Sequence, residues 1–315
     1  MKIVFCGTPT FAVPTLQALL AAGHQIPLVV SQPDRPVGRK QIRTAPPVKL
    51  AALAAGVPVT QPEKIRHNLE FRAQLESIAP EAIVVVAYGR IVPPWMLALP
   101  RLGCINLHGS LLPKYRGAAP IQWAVAMGDA VTGNTTMLLE EGLDTGPILL
   151  QQTLPISTDQ DATDIFDLLA RTGAPLMLET LAGLENGSIQ PNPQDHTQAT
   201  LAPILTREDG RMDLNRTAQD LKNRWRGFQP WPGAFTALDG KKLIVHCMDV
   251  AAFSKPAAQP GQVHIENHRL FVACAQNTWL ELLELQLEGK TRLPAADFLR
   301  GNAIADGVRL GAQSA

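Results

Sequence analysis

The run Ile83-Val84-Val85-Val86-Ala87 constrains the fold more than any other stretch of the chain. It has no polar residue to turn toward water, and its β-branched side chains favour an extended backbone. A strand of this kind must be covered on both faces, which means helices on either side of a parallel sheet. The rest of the N-terminal half supplies the helices. Residues 2–6 read as a short buried strand and Gly7 to Thr10 as a turn. A helix follows over 10–22, with Phe11, Leu16, Leu19 and Leu20 available for one face and Gly23 ending it. Further strands are expected at Ile26 to Ser31 and Cys104 to Leu107, and further helices at Leu50 to Ala55, Asn68 to Ile78 and Ala118 to Met127. This alternation specifies an α/β fold built on a wound, mostly parallel, Rossmann-like sheet. Thr132 to Leu139 and Ile148 to Leu154 read as two more strands flanking a Gly142–Gly146 turn, and a helix is expected over 162–184.

The pattern then changes. Residues 187–204 place Pro191, Pro193 and Pro203 among Asn, Gln and Thr with little apolar periodicity, the composition of a linker. Beyond it a helix near 217–225 precedes four β-rich segments, at 243–248, 261–265, 270–273 and 279–287. Asp239-Gly240 and Pro260-Gly261 punctuate them, which suggests a small barrel or sandwich. A length of 315 residues is long for one core, so the expected division is 1–188, a linker over 189–206, and a smaller domain over 207–315.

Lys+Arg and Asp+Glu both number 28, so only local clustering could mark a nucleic-acid partner. The four cysteines form no C-x-x-C pair, and the histidines show no ligand spacing; no metal site is expected. Cys6 and Cys104 lie in apolar runs and read as buried free thiols. The N-terminus enters a strand at once, and no apolar stretch approaches the ~20 residues that cross a bilayer, so a cytoplasmic location is expected.

Gly7-Thr8-Pro9 occupies the position of a dinucleotide fingerprint, but G-x-G-x-x-G is absent, and Pro9 and Phe11 stand where glycines would admit a pyrophosphate. The chemistry points elsewhere. Asn106 and His108 are two apart, so on a strand they share a face, and they end an apolar run where such sheets bind ligands. An amide N–H and an imidazole can both touch a reacting carbonyl oxygen. Asp144, between Gly142 and Gly146, could hold the imidazole. Taken alone, such a pair is more often two satisfied polar groups capping a strand end.

Five blocks carry a resemblance. They are Gly7-Thr8-Pro9, Gln32 to Arg39, Asn106 to Pro120, Gly142 to Gly146, and Phe228-Gln229-Pro230-Trp231-Pro232. In this order they resemble the 10-formyltetrahydrofolate-dependent formyltransferases, most closely members whose acceptor is initiator methionyl-tRNA. The resemblance implies that Asn106, His108 and Asp144 are the catalytic residues. It also implies that the C-terminal domain is an OB-like barrel that helps dock tRNA, and that the protein is a monomer. Folate is expected against Ser110, Leu111, Leu112 and Pro113. The pterin would occupy a slot formed by Val86, Ala87, Tyr88, Gly89, Arg90 and Ile91 with the loop before Asp144. For Val86 and Ile91, core packing is an equal alternative.

Arg35, Arg39, Lys40, Arg43 and Lys49 face a single acid, Asp34, in a segment containing Pro36, Gly38, Pro46 and Pro47. From the residues alone this is either a solvated loop or a phosphate-contacting one, with Ile42 able to wedge at a base step. The resemblance makes it the element that enters the acceptor stem, with Arg39 foremost. A milder basic bias runs from Arg207 to Lys242. Two competing readings share some of these residues. One is a formyltransferase acting on glycinamide ribonucleotide or an amino sugar; the other is a non-enzymatic folate or tRNA binder. Gly109 after the histidine, where glycinamide enzymes usually carry proline, and the extra β-rich domain count against the first.

Overall fold

The computed structural model describes residues 1–38, 41–252 and 258–311. Its contacts fall into two compact units. The first comprises Met1–Pro120, Val131–Pro155 and Asp164–Pro203; the second comprises Ile121–Ala130, Ile156–Thr163 and Ile204–Ala315.

The first unit is built on strand β1 (Lys2–Gly7), followed by helix α1 (Val13–Ala21), β2 (Gln25–Val30), the short strands β3 (Arg35–Val37) and β4 (Ile42–Thr44), α2 (Pro47–Ala54), β5 (Val59–Thr60), α3 (Leu69–Ile78), β6 (Ala82–Val86), α4 (Pro94–Leu97), β7 (Cys104–His108) and β8 (Arg116–Gly117). Helix α5 (Pro120–Ala126), which falls in the second unit apart from Pro120, the hairpin strands β9 (Val131–Leu138) and β10 (Ile148–Pro155), the long helix α6 (Ala162–Asn186), whose first two residues also belong to the second unit, and β11 (Leu201–Ala202) come next. The main sheet has the order β10-β9-β7-β6-β1-β2-β5. Neighbours from β7 to β5 are parallel, whereas β9 runs antiparallel to both β7 and β10. A mostly parallel sheet is therefore present, edged by an antiparallel pair.

Local chemistry sets the element ends. Gly23, at φ 79°, takes the left-handed conformation that stops α1. Asn68 caps α3 by accepting the Phe71 N–H at 3.0 Å. All five residues of β6 are buried, as its apolar run requires. The strand stops one residue before expectation because Ala87 turns to φ 45°. Since β2 and β5 lie to one side of β1 and β6 and β7 to the other, the strand order reverses at β1–β6, the place where such sheets commonly bind ligands. Cys6 and Cys104 are buried free thiols, and burial pushes the Cys104 thiol up to about 12.

In the second unit, α7 (Ala218–Gly227) starts at a capping box in which Thr217 and Asp220 satisfy each other's backbone N–H groups. Strands β12 (Ala234–Leu238), β13 (Lys241–Val250), β14 (Val263–Glu266), β15 (Arg269–Ala273), β16 (Trp279–Leu287) and β17 (Leu293–Pro294) precede α8 (Ala295–Gly301). Their antiparallel order is β12-β13-β16-β15-β14, with β17 on β16. Among the described residues this pairing is an open path rather than a closed ring. The core of this unit gathers Leu221, Leu243, Val245, Leu270, Leu280, Leu282 and Phe298. No helix among the described residues is long and apolar enough to cross a membrane.

Candidate active site

Strand β7 brings Asn106 opposite Val85 and Met137, and His108 opposite Thr135, at the carboxyl end of the parallel strands. Both are buried, at 9% and 6% exposure. No side-chain hydrogen bond of Asn106 is found among the described residues. His108 is held on both sides. Its Nδ1 lies 3.7 Å from Asp144 Oδ2, an ion-pair contact longer than a hydrogen bond, and its Nε2 lies 2.9 Å from the Tyr115 carbonyl oxygen. A carbonyl oxygen only accepts, so Nε2 carries the proton of that bond. The structure places Asp144 beside the His108 ring, and adds a hydrogen bond to the Tyr115 carbonyl that the residue pattern did not suggest.

The turn from 109 to 117 is supported by its neighbours. Thr135 donates to Ser110 O at 2.6 Å and accepts the Leu112 N–H at 3.1 Å. Gln151 donates to both Leu112 O and Thr135 Oγ1 at 2.9 Å. Ser110 is fully buried and its hydroxyl donates to Lys114 O at 2.7 Å, while Leu112 is also buried; Leu111 and Pro113 are the half-exposed members of this block. The left-handed residues of the turn are Tyr115, at φ 61°, and Gly117, at φ 124°. A Cβ on Gly117 would lie 2.6 Å from Ala202 O, so only glycine fits. Its N–H donates to Asp144 Oδ2 at 2.9 Å.

The 86–91 segment divides its side chains between core and surface. Val86 is fully buried, which for that residue is the core-packing alternative. Tyr88 packs beside Val4, Cys6 and Val85, and burial pushes its phenol well above the ordinary range. Ala87, Gly89 and Ile91 are exposed, Ile91 to 87%. Arg90 donates to Gln32 Oε1 at 3.0 Å, and Gln32 in turn donates to the Tyr88 and Gly89 carbonyls.

The basic segment is not an irregular loop. β3 and β4 pair antiparallel, with Arg35 opposite Thr44 and Pro36 opposite Arg43. Arg39 and Lys40 lie outside the described residues. Arg35 reaches Glu63 at 3.0 Å, and Lys49 is committed to Asp34 at 2.8 Å. Hydrogen bonds from Lys49 and Gln61 hold the Asp34 carboxyl below its ordinary value. Ile42 is 61% exposed and Arg43 is exposed beside it.

The stretch 189–206, expected as a linker, is exposed at most of its positions and pinned at a few. β11 pairs parallel with β8, and Gln194 is buried in contact with the Asp144 turn. Nothing in the local pattern marks it, because one buried glutamine among prolines and polar residues leaves no periodic trace.

Two family models match the chain, "Formyl transferase" over residues 1–181 and "Formyl transferase, C-terminal domain" over 204–303. The chain belongs to the formyl transferase family. Among relatives, a methionyl-tRNA formyltransferase of Acidobacterium capsulatum is 66% identical over 312 residues, covering 99% of this chain and 100% of the relative. One of Koribacter versatilis is 56% identical, covering 99% of each. Solved structures share the fold at lower identity. The N-formyltransferase from Helicobacter canadensis in complex with folinic acid and dTDP-3-aminofucose superposes with a TM-score of 0.67 at 17% identity, covering 90% of this chain and 98% of that one. HypX from Aquifex aeolicus in complex with tetrahydrofolic acid gives 0.62 at 17%, covering 95% of this chain and 47% of that one. The formyl transferase model over 1–181 contains Asn106, His108 and Asp144.

Proposed function

We propose that this enzyme transfers the formyl group of 10-formyltetrahydrofolate to the α-amine of initiator methionyl-tRNA. The observation that carries the acceptor is the match across both units, at 66% identity, to a relative named methionyl-tRNA formyltransferase. The geometry at β7 supplies the chemistry. The neutral amine attacks the formyl carbon, the new C–N bond forms, and the carbonyl π electrons move onto oxygen. The C–N10 bond then breaks, N10 receives a proton, and the amine loses one. Asn106, with its amide unengaged, donates to the oxyanion. Asp144 Oδ2, 3.7 Å from Nδ1, orients the His108 ring, and a ring N–H provides the second donor. For His108 Nε2 to serve as that donor, it exchanges the Tyr115 carbonyl for the formyl oxygen.

Folate lies against Leu111, Pro113 and the exposed Ala87, Gly89 and Ile91, with Ser110, Leu112, Val86 and Tyr88 as the buried backing and Arg90 at the edge. The β3–β4 hairpin carries the tRNA contacts through Arg35, Ile42 and Arg43, together with Arg39 and Lys40. The second unit is an OB-like module that docks tRNA. A cavity of about 430 Å³ lined by Arg207, Glu208, Arg211, Phe235 and Lys242 supports this, three cations against one acid, with the Lys242 ammonium 3.8 Å from the centre of the Phe235 ring. The enzyme works as a cytoplasmic monomer without a metal. The test is incubation with 10-formyltetrahydrofolate and either initiator methionyl-tRNA, elongator methionyl-tRNA or glycinamide ribonucleotide. Formylation of initiator methionyl-tRNA is expected. Formylation of the ribonucleotide alone would overturn the reading.

A further inference from the structure

Asp144 has φ 50°, a left-handed backbone that a non-glycine residue adopts at a cost. Something must hold it there. Gln194 does so from a distant part of the sequence. Its Nε2 donates to Asp144 O at 2.9 Å and to Gly146 O at 2.7 Å, and its Oε1 accepts from Arg116 Nε at 3.1 Å and Arg116 Nη2 at 2.6 Å. The amide has one orientation only, because carbonyls accept and a guanidinium donates. Both of its hydrogens and both of its lone pairs are used, and the residue is 6% exposed. The next residue after Arg116 is Gly117, whose N–H donates to the Asp144 carboxylate. Gln194 therefore ties together the two backbone segments between which that carboxylate is aimed at His108.

We propose that Gln194 is a positioning residue for formyl transfer: it fixes the Asp144 turn against Arg116 and Gly117, so that the carboxylate meets the His108 ring. This rests on the reading of Asp144 and His108 as members of the catalytic site. A carboxylate displaced by about 1 Å is expected to cost on the order of 10–100-fold in rate while leaving substrate contacts elsewhere intact.

The test measures kcat, and KM for donor and acceptor, on the full chain and four variants: Gln194→Met, Gln194→Glu, Asp144→Asn and the Gln194→Met/Asp144→Asn double. Gln194→Met keeps volume and loses every hydrogen bond. Gln194→Glu keeps the acceptor for Arg116 and loses both donors, so it decides the matter if the methionine variant does not fold. The expected result is a lower kcat in both single Gln194 variants with KM near wild type, and a double variant no slower than Asp144→Asn alone. Wild-type kcat in a folded Gln194 variant, or losses that multiply in the double, would overturn the proposal. If Asp144→Asn itself keeps wild-type turnover, the catalytic reading fails; if it alone is slow, only the role of Gln194 fails.

Discussion

A single threonine shows how the residues around the site are held. Thr135 sits opposite His108 and satisfies the Ser110 carbonyl, the Leu112 N–H and the Gln151 amide at once. Thr135→Val keeps the shape and deletes all three bonds, leaving buried polar groups unpaired. A loss of about 1–3 kcal/mol in unfolding free energy is expected, read from denaturant titration, with turnover falling as the 109–117 turn loosens. Asn106 and Asp144 stand out in the sequence as candidates, the first by its spacing from His108 and the second by its flanking glycines. Tyr115 and Gln194 do not. Tyr115 acts through a backbone carbonyl, which no side-chain type announces. Gln194 reaches Asp144 across fifty residues of chain from a segment whose composition reads as linker.

At the scale of elements, hydrophobic period decided what could be read. Strand β6 and helix α6 follow from their apolar patterns. Strand β12 was missed: its Ala-Phe-Thr-Ala-Leu sequence lacks a β-branched run, and its existence depends on pairing with β13. A signal was present in Asp239-Gly240, whose φ values of 48° and 74° make the two-residue turn that joins antiparallel strands. The β3–β4 hairpin shows the opposite limit, since prolines and charges conceal a strand pair only three residues long on each side. The exposed strand β4 gives a separable prediction. Arg43→Ala should raise KM for methionyl-tRNA and reduce the salt slope of tRNA binding by about one, without changing donor affinity. Equal weakening of donor and tRNA would remove the hairpin from the tRNA interface.

For the whole molecule, the sequence predicts domains over 1–188 and 207–315, and the contacts divide the chain into two compact units. Residues 121–130 and 156–163 belong with the C-terminal part: Trp123 meets Phe228 edge-on at 5.4 Å, and Arg226 donates to Ser157 O and Gln160 O. Cutting the chain near residue 207 would strip these segments of their packing, so point substitutions report on the second unit more cleanly than truncation. Arg211→Ala with Lys242→Ala should weaken tRNA binding at low salt several-fold and converge with wild type as salt rises, because phosphate contacts are screened. Unchanged affinity at low salt would assign that cavity to something other than tRNA.

The central claim is that the carboxyl end of β7 stabilises a formyl oxyanion on its way to a methionyl amine. Single-turnover formylation of initiator methionyl-tRNA by the intact protein and by Asn106→Ala tests it most directly. Transfer by the wild type is expected, with a rate roughly 10²–10³-fold lower in the variant, the usual cost of one oxyanion donor, and tRNA affinity retained. An Asn106→Ala enzyme that transfers at the wild-type rate would contradict it.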